Sequence, residues 1–157
     1  MDPDSFVPDF ASLGGWAYFF IALVLFSSTP LPIFSTEVIV FLAGSMADPL
    51  VVGIVAGIAT AIGELTTYVI GFGGERLISR KHKEGDVYKR ATEFFERWGF
   101  WAVIVFALTP LPMDLIGLIA GGLKYDIKKF FGGALIGKIP RNIIIAYAGA
   151  GIIGFFF

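Results

Sequence analysis

Hydrophobic positions along this chain gather into four long blocks instead of alternating with polar ones. The first runs from Gly14 to Ala47 with one charge, Glu37, and the second from Pro49 to Gly74, also with one, Glu64. A polar stretch, Glu75 to Arg97, separates these from the third block, Trp98 to Leu123, which contains Asp114. The fourth, Phe130 to Phe157, contains Lys138 and Arg141. A membrane span needs about 20 apolar residues to cross a hydrocarbon core of roughly 30 Å. The second and fourth blocks fit as single spanning helices. The first does not, because as one helix it would run about 51 Å at 1.5 Å per residue.

Near its centre that first block carries Thr29-Pro30-Leu31-Pro32. Two prolines one residue apart remove two backbone donors and disfavour helix at the preceding residues. The pattern predicts a half-helix in, a break, and a half-helix out. Block three carries the same Thr109-Pro110-Leu111-Pro112 and is expected to break in the same way. The recurrence is an internal repeat. Leu42-Ala43-Gly44 is echoed by Ile119-Ala120-Gly121 with a three-residue slip, and Gly53-x-x-x-Gly57 by Gly133-x-x-x-Gly137. Each half is a broken hairpin followed by a glycine-rich span.

Charge orients the halves. If both broken blocks enter and leave on one side, Glu75–Arg97 and Lys124–Lys129 share a face that collects Arg76, Arg80, Lys81, Lys83, Lys89, Arg90, Arg97, Lys124, Lys128 and Lys129. The other face then holds Asp2, Asp4, Asp9 and Asp48 and no base. Cytoplasmic loops collect Lys and Arg, so this arrangement places the basic loops inside and both chain ends outside. One hairpin opens from each side. Inverted repeats with broken helices near the midplane are a secondary-transporter design. Bare backbone in a bilayer is tolerated only where protein or a water-filled cavity satisfies it, so the two breaks should line something polar.

Composition agrees with a membrane setting. The chain is 56% hydrophobic and 16% charged, with mean hydropathy +0.79. Soluble domains are roughly 45–50% apolar and about 25% charged, so a soluble globular enzyme is disfavoured. A net charge of −1 gives no basic footprint for nucleic acid. With no cysteine and one histidine, His82, the chain has no disulfide, thiolate, iron–sulfur, cysteine-zinc or two-histidine metal chemistry. The acidic start, MDPDSFVPDF, does not read as a cleaved signal peptide.

Five ionisable residues fall inside the apolar blocks: Glu37, Glu64, Asp114, Lys138 and Arg141. A charge at a helix centre costs at least about 2.5–3.5 kcal/mol on insertion scales. Glu37 and Asp114 follow the proline breaks. Lys138 and Arg141 are three apart and share a helix face, with Pro140 between them loosening the local ladder. One reading is that these charges are buried ion pairs that fix packing. A sharper one notes that three acids and two bases leave one negative charge unmatched. A carboxylate in that position takes up a proton more readily, which makes Glu37, Glu64 and Asp114 candidates for proton coupling. Lys138 and Arg141 are candidates for holding an anionic head group, arginine being suited to bidentate phosphate contact.

Other signals are weaker. The two GxxxG patterns mark close helix packing. Asp86–Arg97 reads as an amphipathic interfacial helix. Gly71–Gly74 ends the second span more readily than it binds phosphate, and His82 reads as a solvated loop residue.

These residues together resemble the DedA family, also called the VTT or SNARE-associated Golgi protein family, from about Phe26 to Gly149. Thr29–Glu37 resembles its proline-rich turn followed by Ser-Glu, and Gly63–Gly71 its Gly-x-x-x-x-Tyr-x-x-Gly signature. Arg97-Trp98-Gly99 resembles the lead into the second hairpin. Leu111–Leu115 with Ala120-Gly121, and Gly137-Lys138-Ile139-Pro140-Arg141, look like the YqaA-like branch. The resemblance implies inverted re-entrant hairpins and functional acids and bases within the membrane. It also implies lipid translocation: undecaprenyl phosphate recycling in bacterial members, phospholipid scrambling in eukaryotic ones, with proton dependence. It carries over Glu37 as the hairpin acid and Lys138 and Arg141 as the final-span bases. Many members place arginines around the second proline turn, where this chain has Asp114.

The expectation is therefore an all-α, multi-pass protein of the cell membrane built as one domain. Residues 14–74 are its first repeat, 75–97 a cytoplasmic amphipathic segment and 98–157 its second repeat. Each repeat is a re-entrant helical hairpin, broken at Pro30 and Pro32 or at Pro110 and Pro112, followed by a transmembrane helix. The expected partners are membrane lipids, an anionic lipid head group and protons, with no cofactor and no metal, and self-association is left open. The expected function is movement of a polyprenyl phosphate or phospholipid between leaflets. The rival readings are a proton- or cation-coupled transporter of a small solute and a non-transporting assembly factor. No nucleophile–base–metal set suggests an enzyme.

Overall fold

The computed structural model describes residues 13–28, 36–74, 86–109 and 113–156. Every element among them is helical: α1 (Leu13–Ser27), α2 (Thr36–Met46), α3 (Pro49–Gly74), α4 (Asp86–Leu108), α5 (Met113–Gly122) and α6 (Ile127–Phe156). Helix stops at Ser27 and resumes at Thr36, then stops at Leu108 and resumes at Met113. The Thr-Pro-Leu-Pro repeats fall between these helices, and the expected breaks at Pro30, Pro32, Pro110 and Pro112 lie outside the described residues.

Local chemistry explains where the helices end. Ser28 Oγ donates to the Val24 carbonyl at 2.7 Å after α1, and Thr109 Oγ1 donates to the Val105 carbonyl at 2.7 Å after α4. Asp48 caps α3: its Oδ1 accepts the Leu50 and Val51 N–H groups at 2.9 and 3.1 Å, with Pro49 at the first helical position. Asp126 caps α6 in the same manner, through the Lys128 and Lys129 N–H groups at 2.8 and 3.0 Å. After α5 the chain turns at Lys124, whose φ of 56° is left-handed, so that Tyr125 N–H reaches the Ala120 carbonyl at 2.9 Å.

Lengths separate the helices into two kinds. α3 is long and apolar enough to cross a membrane, whereas α1, α2 and α5 are shorter apolar helices of 15, 11 and 10 residues. At 1.5 Å per residue these reach about 22, 16 and 15 Å, well short of a core of roughly 30 Å. One expectation needs correction. No separate interfacial helix occupies Asp86–Arg97: α4 runs unbroken through the boundary drawn at 97 and 98, and its exposed Glu93, Glu96 and Arg97 belong to the same rod as the buried Val103 and Ala107. Pro140 does not interrupt α6, although lacking an N–H it leaves the Ile136 carbonyl without its helical donor.

The long helices α3 and α6 pack together and organise the rest. α1 lies on α3 and α4 on α6, but the second arms cross over: α2 packs chiefly on α6, and α5 on α3. Small residues permit the crossing. A Cβ on Gly44 would overlap the Ala146 backbone and one on Gly149 the Phe41 carbonyl; in the other half Gly121 meets Tyr68 and Gly71 meets Leu118 in the same way. The two GxxxG pairs serve packing as expected, Gly53 and Gly57 against Ile143 and Ile139, Gly133 and Gly137 against Val103 and Ala107. Two apolar cores result. One gathers Phe19, Leu23, Val40, Val52 and Ala146; the other gathers Tyr68, Phe95, Val103, Met113 and Phe130. The outer surface is itself apolar, with Tyr18, Leu25, Trp101 and Ile144 exposed, as a lipid-facing surface requires.

Candidate functional site

Between the two cores lies a polar layer. Along α6 the order is Phe130 and Ala134, then Lys138, Arg141 and Asn142, then Ala146; along α3 the layer is marked by Thr60, Glu64 and Thr67. Spacings of four and three residues put those three α3 side chains on one face, and Lys138 and Asn142 are one turn apart on α6. Glu64 and Lys138 are 5% and 8% exposed and form an ion pair at 2.8 Å. Asn142, also buried, donates Nδ2–H to the Lys138 carbonyl at 2.8 Å and meets Thr60 Oγ1 at 3.5 Å. Thr67 Oγ1 donates to the Glu64 carbonyl at 2.8 Å.

The second pair joins different elements. Glu37, in the first turn of α2, accepts from the Arg141 guanidinium of α6, the carboxylate being far more open to its surroundings than the guanidinium. Asp114, in the first turn of α5, is half-buried and lies within the electrostatic reach of both Lys138 and Glu64. Among the described residues it forms no ion pair. All five intramembrane charges thus converge on α6, and the unmatched negative charge counted from the sequence falls to Asp114. Four of the five are paired, as the packing interpretation requires. Yet among the described residues Glu64 Oε2 is buried without a hydrogen-bond partner, so the layer they form is incompletely satisfied.

A second polar feature sits on the face assigned to the basic loops. A cavity of about 300 Å³ is lined by Thr92, Phe95, Glu96, Lys124, Asp126 and Lys129, beside Tyr125. The Tyr68 hydroxyl donates to the Tyr125 carbonyl and ties this turn to α3. The backbone N–H of Lys129, with that of Lys128, holds the Asp126 carboxyl below the usual carboxylate range. No group of three or more His, Asp or Glu among the described residues is placed to hold a metal ion.

Several of these residues escape a reading of the sequence alone. Asn142, Thr60 and Thr67 carry a signal, a polar stripe at helical spacing in otherwise apolar helices. The caps carry one too: Ala43-Gly44 precedes Asp48, and Ala120-Gly121 precedes Asp126, so the internal repeat extends to the start of each long helix.

A bundle that is helical throughout the described residues, with an apolar exterior and a buried Glu64–Lys138 ion pair inside, is that of a multi-pass membrane protein. The chain belongs to the VTT domain family, which it matches over residues 30–151. It is similar to undecaprenyl phosphate transporter A of Staphylococcus aureus, with 34% identity over 154 residues, 88% of this chain and 74% of the relative. It is also similar to an uncharacterised protein of Methanocaldococcus jannaschii, 26% identical over 130 residues, 81% of this chain and 80% of the relative. Protein DedA of Escherichia coli is 24% identical over 155 residues, 88% of this chain and 70% of its own. No solved structure matches the chain.

Proposed function

We propose that this protein is a lipid transporter that moves an anionic lipid head group, a polyprenyl phosphate or a phospholipid, between leaflets while the acyl chains stay in the bilayer. The observation that carries the proposal is the polar layer: two bases of α6, each met by an acid from a different helix, within an otherwise apolar bundle. Burying such charges costs more than apolar packing would, so their presence calls for a use. The Staphylococcus aureus relative, described as an undecaprenyl phosphate transporter, supports a phosphate-bearing substrate.

In this reading the two halves are inverted repeats and their short arms are re-entrant. Arms shorter than the bilayer core, matching aspartate caps on α3 and α6, and the reciprocal crossing of α2 and α5 all support it. Lys138 and Arg141 hold the phosphate; Glu37, Glu64 and Asp114 guard the bases and couple a proton to their release. The breaks at Pro30, Pro32, Pro110 and Pro112 open the path from the two sides. A leaflet-flipping measurement in proteoliposomes tests this directly. Arg141→Ala and Glu37→Gln are expected to slow movement of a fluorescent anionic lipid at least about tenfold, which corresponds to about 1.4 kcal/mol in the barrier. Folded variants that flip lipid at the wild-type rate would return these residues to a packing role.

A further inference from the structure

The polar cavity between the outer end of α4 and the turn from α5 to α6 has no part in the transport reading. Its aromatic lining is the buried Phe95 and the half-buried Tyr125, whose rings meet edge to face at 5.6 Å. Four charged side chains line it as well: Glu96 from α4, and Lys124, Asp126 and Lys129 from the turn and the start of α6. Two acids and two bases cancel. Neither Glu96 nor Lys129 forms an ion pair among the described residues. Asp126 uses Oδ1 for the cap of α6, and its second carboxylate oxygen stands outside those two hydrogen bonds. At about 300 Å³ the cavity lies at the small end of the range for ligand pockets, with room for a head group and not for a whole lipid.

Beside it on α4 is an apolar hollow of about 530 Å³, lined by Phe94, Trp98, Trp101, Val105 and Phe106. Phe94 precedes Phe95, so the hollow begins at the level of the cavity. From Phe94 to Val105 it runs about 16 Å along the helix at 1.5 Å per residue. Trp98 and Trp101 are at least half exposed, and exposed tryptophans of a membrane protein gather at the water interface. The cavity lies on the polar side of them, beside the exposed Glu93 and Arg97, which is the depth of lipid head groups.

We propose that this cavity and hollow form a resident-lipid site for a zwitterionic phospholipid with a primary ammonium, of the phosphatidylethanolamine type. The ammonium is received by Glu96 and Asp126, the phosphate by Lys129 and Lys124, and one acyl chain by the hollow of α4. Charge selects the head group. An anionic lipid would satisfy the lysines and leave both carboxylates facing a charge of their own sign. A choline head group carries the positive charge but has no N–H to give, whereas a primary ammonium donates up to three hydrogen bonds. Contacts between exposed charges are individually weak, so the hollow supplies the anchor and the cavity the choice. A soluble phosphoethanolamine has no chain for the hollow. The lipid held here is not the cargo of Lys138 and Arg141: it joins α4 to the α5–α6 turn, which the Tyr68 hydroxyl ties to α3. The inference stands apart from the transport reading.

The test is native mass spectrometry of the purified full chain in detergent. Phosphatidylethanolamine, phosphatidylglycerol and phosphatidylcholine with identical acyl chains compete at equal concentration. The wild-type protein is expected to retain phosphatidylethanolamine about fivefold over each of the others, the size of effect that exposed charge pairs supply. Glu96→Gln and Lys129→Gln, both at exposed positions, should lose that preference. Trp101→Ala should lower retention of all three lipids alike. Phosphoethanolamine without chains should not displace the bound lipid. Equal retention of the three lipids by the wild type overturns the proposal, as does a preference for phosphatidylglycerol, and neither outcome needs a variant. A preference that survives in both charge variants overturns it too, and displacement by phosphoethanolamine alone replaces the lipid with a soluble ligand. Glu96→Gln and Lys129→Gln should flip a fluorescent anionic lipid at the wild-type rate. Loss of flipping in either would make the cavity part of the transport path and end its reading as a separate site, while a protein that flips no lipid at all defeats the transport reading and leaves this one standing on the retention data.

Discussion

Removing Lys138 would show what one buried pair contributes. Lys138→Met leaves the Glu64 carboxylate in an apolar layer without its cation, and breaking a buried pair from one side costs about 3–5 kcal/mol. Adding Glu64→Leu should recover most of that loss, because an apolar replacement of both partners is often neutral. Thermal unfolding in detergent, single against double variant, measures both. Asp126 supplies a prediction with a pH sign. Its carboxyl lies below the usual range because the Lys129 and Lys128 N–H groups bind the charged form. That contribution to stability is present above the unfolded pKa and is lost as pH falls through the folded one. Asp126→Asn should therefore flatten the acid limb of the melting-temperature profile and leave the neutral region nearly unchanged. The five intramembrane charges were legible one by one in the sequence. Their pairing was not, since a register between α3 and α6 depends on glycines such as Gly53 and Gly57 meeting particular isoleucines.

Helix ends were legible wherever a single residue dictates them. α1 ends at Ser27 and α4 at Leu108, just ahead of the two Thr-Pro-Leu-Pro stretches at which stereochemistry predicts a break. The unbroken course of α4 was not legible, because charged residues at helical spacing continue a helix as well as apolar ones do, and only the neighbours they meet decide where the polar part ends. Pro140 taken alone would loosen α6, yet the packing of α2, α3 and α4 along α6 keeps it a single helix. Close helix contact gives the prediction at this scale. Gly149→Ala forces α2 from α6 at the Phe41 carbonyl, and overpacking of that kind costs about 1–3 kcal/mol. A Cβ added to Gly132, in the same helix, would meet nothing within 4 Å. Gly132→Ala should instead gain up to about 1 kcal/mol from helix propensity. A shared melting assay would reveal opposite signs for one chemical change.

Across the whole molecule, the crossing of α2 and α5 means that neither half buries its own second arm. The second arm of each is completed by the long helix of the other, so the halves are one folding unit despite their sequence repeat. Residues 1–80 and 81–157 expressed alone should be degraded, and expressed together they should co-purify as a stable pair. Recovery of either half alone in folded form would contradict the crossing. The repeat itself was visible in Thr-Pro-Leu-Pro, but exchange between repeats leaves no mark in the pattern of a single segment. The rod formed by α4 has its own consequence. Its charged end, at Glu93, Glu96 and Arg97, and its far end at Leu108 belong to one helix with no joint between them. A force applied at the charged end would therefore be carried along one continuous helix as far as Leu108.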